Sequence, residues 1–153
     1  ISLCQTPQIP LKSYEDLSIF KIYCLDIGLL RVLSELTPEA YLSDSPIFKE
    51  YKGALAENYI LQSLLANGIK CSRYWASGNK AEVEFIVQYG MDVIPIEVKS
   101  GISITGRSLV EYNKKYSPNL RVRFSMLNLK RDDTLLNIPL FLADRAEDLC
   151  KMM

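Results

Sequence analysis

Two carboxylates and an amine, Glu84, Glu97 and Lys99, lie in a stretch whose pattern brings them together. Residues 82–89 (EVEFIVQY) and 93–99 (VIPIEVK) both alternate, which predicts two strands joined by a tight turn at Gly90-Met91, where glycine supplies the positive φ. Tyr89 then pairs with Asp92, Glu84 falls opposite Glu97, and Glu82 falls opposite Lys99. Val83, Phe85 and Val87 share one face of their strand, and Ile94, Ile96 and Val98 one face of theirs, leaving the acids and the lysine on the other. An odd-length turn would set Glu84 against Ile96 and mix the faces.

Directly opposed side chains have Cβ atoms about 4.5–5.5 Å apart, and like charges at that spacing destabilise a sheet. A shared divalent cation removes the conflict. The chemistry that such a site serves is phosphodiester hydrolysis, in which a cation polarises a phosphoryl oxygen and acidifies water. An ammonium group orients that water or stabilises the developing charge. Glu57, flanked at −3 and +4 by Ala54 and Leu61 on a long helical stretch, is a third acid that can look inward toward the sheet. The alternative is a solvated sheet face with a surface salt bridge between Glu82 and Lys99 and a half-exposed helix acid at position 57; spacing alone weighs the sheet-face and metal readings equally.

The elements that position these residues follow from local signals. Residues 1–18, broken by Pro7 and Pro10, read as irregular, and residues 19–25 as β-prone. Asp26 is a helix cap for IGLLRVL, with Thr37-Pro38 and Ser45-Pro46 as further helix starts. The strongest helix spans about residues 46–66 and stops at Asn67-Gly68. Strands are expected at 70–75, 120–127 and 138–142, and a helix at 108–116. The expected class is therefore α/β of the α+β kind: a mixed sheet with a central hairpin flanked by helices, plus an N-terminal helical segment. Residues 1–45 form the expected linker and helical extension, and 46–153 the core.

The 153 residues carry 18 basic and 18 acidic side chains, which argues against coating nucleic acid through bulk charge. Histidine is absent, so His-based triads and His general bases are excluded, and Cys4, Cys24, Cys71 and Cys150 have no metal-ligand spacing. A metal here needs oxygen ligands, which favours Mg2+ or Mn2+. The scattered cysteines fit free thiols in a reducing cytoplasm. No apolar run is long enough to cross a membrane, and the chain, which does not begin with Met, reads as a piece of a longer protein.

The run GALAENYI (53–60), the strand AEVEFIV (81–87) and IEVKSG (96–101) resemble the successive motifs of PD-(D/E)XK, restriction-endonuclease-like domains. With FKIYCLDIGLL (20–30) and Tyr74-Trp75, they resemble more narrowly the C-terminal domain of unknown function that follows an AAA-type ATPase module in many bacterial and archaeal proteins. The resemblance implies Glu57 as the acid of the first core helix, Glu84 as the acid of the first hairpin strand, and Glu97 and Lys99 as the acid and lysine of the second. It implies Mg2+ or Mn2+ between the acids Glu57, Glu84 and Glu97, DNA or RNA as substrate, and an upstream ATPase domain that holds the ATP. Glu84 departs from the usual Asp by one methylene, a displacement of the scale to which catalytic geometry is sensitive. Two functions are therefore expected: a metal-dependent nuclease, or an inactive nuclease fold used for nucleic-acid binding or for contacts within the ATPase.

Other signals are weaker. GISITGRS (101–108) nearly matches a phosphate-binding loop, but Arg107 stands where lysine belongs; a loop and helix start capped by Thr105 or Ser108 is the expectation. Pro95 either delays the second strand to Ile96 or marks a side without a partner strand. Tyr74, Trp75 and Tyr89 are expected to pack rather than to stack on bases. Lys114, Lys115, Arg121 and Arg123 are expected on a solvated helix end and strand face.

Overall fold

The computed structural model describes residues 1–39, 48–78, 80–102 and 106–152. The strands are β1 (Ser2–Cys4), β2 (Glu15–Phe20), β3 (Arg73–Ala76), β4 (Glu82–Tyr89), β5 (Asp92–Val98), β6 (Arg121–Ser125), β7 (Lys130–Asp132) and β8 (Leu135–Pro139). The α-helices are α1 (Ile27–Leu33), α2 (Lys49–Ala66), α3 (Arg107–Tyr116) and α4 (Ala146–Met152), and 3-10 turns cover Leu11–Tyr14 and Leu140–Arg145. One mixed sheet runs in the order β2-β1-β3-β4-β5-β6-β8-β7. The class is α+β, as expected.

The strongest local signals produce the elements they announce. Asp26 caps α1 by accepting from Leu29 N at 2.8 Å. Asn67 ends α2, and Gly68 follows at φ 77°, in the left-handed region that glycine occupies at no steric cost. The start anticipated at Thr37-Pro38 is seen, with helix at Pro38 and Glu39, whereas that at Ser45-Pro46 lies outside the described residues.

Residues 1–18 are not irregular: β1 and β2 join the sheet, β1 pairing parallel with β3 and antiparallel with β2. Residues 19–25 stop being strand at Phe20. The last strand ends at Pro139, earlier than expected, and turns into the 3-10 segment. The cap of α3 is Gly106 rather than Ser108, and its end carries no side-chain hydrogen bond; Thr105 lies outside the described residues.

β4 is the centre of the molecule. Val83–Val87 are all buried, because helices cover both sides of the sheet. On one side Phe85 and Val87 pack with Ile96, Val98, Val122 and Phe124 against Ile60, Leu61 and Leu64 of α2. On the other, Val83 and Ile86 pack with Trp75 against Leu109 and Tyr112 of α3. Val83 therefore does not share a face with Phe85. The cause is a register shift against β3, where Ile86 pairs with Arg73 but Val83 pairs with Trp75. Glu84 and Phe85 together face the single Tyr74, and an extra residue of this kind bends a strand and re-aims its side chains.

Trp75 is the largest fully buried side chain, with Tyr112 edge-on at 5.1 Å and Tyr116 at 5.9 Å. Tyr74 is buried too, so both aromatics pack as expected; Tyr89 is half exposed.

Candidate active site at the bulge of β4

The hairpin has the register expected from its sequence: Tyr89 pairs with Asp92, Ile86 with Pro95 and Phe85 with Ile96. Pairing of β5 with β6 begins only at Ile96, so Pro95 sits on a stretch of strand with one neighbour. The ladder ends one position short of Glu84 and Glu97. There the Glu84 side chain turns in, and its Oε2 accepts from Val98 N at 3.1 Å.

Lys99 draws the two acids together. Its Nζ lies 3.3 Å from Glu97 Oε1 and 4.0 Å from Glu84 Oε1. Its backbone N donates to Phe124 O, which extends the hold of β6 past the end of β5. Glu97 is completely buried and Glu84 is 8% exposed, so the solvated-face reading is wrong for both. Glu82 does not meet Lys99; it is exposed and ion-pairs with Lys21.

Glu57 joins from α2. It is half-buried and accepts a hydrogen bond from Tyr23 Oη at 3.1 Å. The adjacent Asn58 is buried and pins the backbone of Cys24 through both its N (2.9 Å) and its O (3.3 Å). The segment that carries Lys21 and Tyr23 is thereby fastened across α2 beside the acids. Burial raises the Glu57 pKa, opposed by Lys21, by the Tyr23 hydrogen bond and by Lys99.

Glu97 has a second partner that the sequence reading placed elsewhere. Arg123, at the paired position on β6, donates from Nε to Glu97 Oε2 at 2.9 Å. It is buried, not on a solvated face. Arg121 donates to Thr134 Oγ1 and Lys114 pairs with Glu111. The free cysteines are buried or partly buried, as expected.

Burial pushes the Glu84 carboxyl up to about 7, although Lys99 and the Val98 hydrogen bond oppose the shift; the Glu57 charge adds to it. The folded state then holds a proton that the unfolded chain releases near its ordinary value of 4.5. Stability from this group is present at low pH and is lost as pH rises from about 4.5 through about 7. Glu84→Gln should flatten that part of the curve; equal pH slopes for parent and variant in urea unfolding would contradict this assignment.

Residues 52–141 match the family described as Domain of unknown function (DUF4143). The chain belongs to this DUF4143 family. The match includes Glu57, Glu84, Glu97, Lys99 and Arg123, whereas Lys21 and Tyr23 precede it. No curated protein and no solved structure matches the chain.

In this DUF4143 domain no three Cys, Asp or Glu residues among the described ones are grouped to hold a metal ion on their own. Two carboxylates do converge, and Glu97 Oε1 is buried without a hydrogen-bond partner, facing the Lys99 ammonium. Mg2+ ordinarily keeps several waters and uses one or two carboxylates plus substrate phosphates, so two acids fit that ion without an all-protein cage. A cavity of about 470 Å³ lies elsewhere, at the hairpin tip, lined by Leu64, Val87, Ile94 and Cys150, and another of about 390 Å³ is lined by Arg123, Leu127 and Asn137. No helix among the described residues is long and apolar enough to cross a membrane.

Proposed function

We propose that this domain is a PD-(D/E)XK-like, divalent-metal-dependent phosphodiesterase acting on DNA or RNA, the C-terminal unit of an AAA-type ATPase. The observation that carries the reading is the convergence of Glu84, Glu97 and Lys99, with Glu97 Oε1 buried, ion-paired with Lys99 and without a hydrogen-bond partner. Glu97 and Glu84 would hold Mg2+ or Mn2+. A bound cation supplies positive charge at a phosphoryl oxygen and a more acidic water.

The chain's own residues do the rest. Arg123 balances part of the buried Glu97 charge and holds Oε2. Lys99, 28% exposed, is the group that can reach a substrate, where its ammonium orients the attacking water or stabilises developing negative charge. Glu57, held by Tyr23, adds negative charge beside Glu84 and so draws a cation toward the same place.

A second reading is favoured by one observation. Glu97 already has Arg123 and Lys99 as counter-ions, so the cluster is charge-compensated without metal. A catalytically inactive fold used for nucleic-acid binding or for contacts with the ATPase would keep such a cluster. The two are separated by incubating the protein with plasmid and with single-stranded DNA and RNA in Mn2+ or Mg2+. Cleavage that stops on chelation supports the phosphodiesterase. Intact substrate in every metal condition rejects it and leaves the binding reading.

A further inference from the structure

The two oxygens of Glu97 are treated differently by their surroundings. Oε2 is fixed by Arg123 Nε at 2.9 Å, whereas Oε1 has no hydrogen-bond partner and faces Lys99 Nζ at 3.3 Å. The pair is set by the sheet, because Glu97 and Arg123 are opposed in the parallel register of β5 and β6. The guanidinium also has a place made for it. A Cβ on Gly106 would collide with Arg123 Nη2 and stand within 3.1 Å of its Cζ. Gly106 has φ −76°, outside the left-handed region that favours glycine, so it is the missing side chain and not a positive φ that this position uses.

We propose that Arg123, seated in the space left by Gly106, is the positioning residue of the cation site: it ties down Oε2 of Glu97 and leaves Oε1 as the oxygen presented to a divalent cation beside Glu84. The inference rests on the metal reading above and goes beyond it, since it names which oxygen binds and what holds the carboxylate in that orientation. Gly106, the residue that precedes α3, thereby becomes part of the site. Groups that orient a metal ligand from behind commonly change metal affinity by about 10–100-fold when removed.

The test is Mn2+ affinity, measured by titration of free Mn2+ followed by electron paramagnetic resonance, on the parent, Arg123→Gln, Arg123→Lys and Gly106→Ala proteins. Metal-free unfolding is measured alongside. Arg123→Gln and Gly106→Ala should each weaken Mn2+ binding by about 10–100-fold. Arg123→Lys should lose less, because it keeps the charge but not the planar fork. A purely structural Arg123 would lower metal-free stability and leave Mn2+ affinity at the parent value in whichever variants fold; that result overturns the inference and spares the metal site. A folded parent that binds no Mn2+ overturns both. Should Arg123→Gln fail to fold, Gly106→Ala and Arg123→Lys decide by the same comparison.

Discussion

Glu97→Ala should lower the free energy of unfolding by about 3–5 kcal/mol, the range seen when one member of a buried ion pair is removed. Glu97 is completely buried, and its loss leaves the Arg123 guanidinium, with a side chain only 10% exposed, without its carboxylate. Lys99 is more exposed and can turn to water, so most of the cost falls on Arg123. Glu97→Gln should cost less, because its amide oxygen can still accept from Arg123 Nε. Urea unfolding at neutral pH measures both. A loss below about 1 kcal/mol for Glu97→Ala would mean that the buried pair does not form as described. The same result bears on any functional assay: an inactive Glu97→Ala protein says nothing about metal until it is known to be folded.

Lys99→Ala is the cleaner functional probe. Its ammonium is 28% exposed and Arg123 stays on Glu97 when it is removed, so the loss of stability should be smaller than that of Glu97→Ala. Cleavage should fall by about 10²–10³-fold, the usual cost of removing one group that stabilises charge in the transition state. Comparing single-turnover cleavage with Mn2+ binding in the same variant separates the roles. Lys99→Ala should still bind Mn2+, since the carboxylates remain. Cleavage that persists at the parent rate would assign the activity to another site or to a contaminating nuclease.

How much of this could be read from the sequence depended on how local each signal was. The Asp26 cap, the end of α2 at Asn67-Gly68 and the hairpin around Gly90 are set by residues within a few positions, and they form as read. Glu84, Glu97 and Lys99 were legible for the same reason, because one tight turn fixes their register. The bulge was not, since it arises from β3, which lies outside the alternation of β4 itself. Arg123 was missed because a parallel pair has no connecting turn to set its register; its place opposite Glu97 depends on α3 and the loops around it. β1 and β2 were missed because three residues are too few to show a period and because β2 leaves its large side chains exposed. Lys21 and Tyr23 are held at the site by long-range contacts that no local pattern shows, among them that of Asn58 with Cys24, 34 positions away. Glu57 and Asn58, adjacent inward-facing polar residues on a helix that otherwise buries apolar side chains, are the sequence signal that a partner segment must cover them.

The most direct test is thermal unfolding of the parent chain against rising Mn2+, with Glu84→Gln alongside. A cation bound by the folded state alone stabilises by about 2.7 kcal/mol at one hundred times its dissociation constant. For a domain of this size that corresponds to a rise of roughly 5–10 °C in Tm. The expected result is a saturable rise in the parent that competes with Mg2+ and is much weaker in Glu84→Gln. An unchanged Tm in the parent through millimolar Mn2+, or an equal rise in the variant, would contradict a cation held between Glu84 and Glu97.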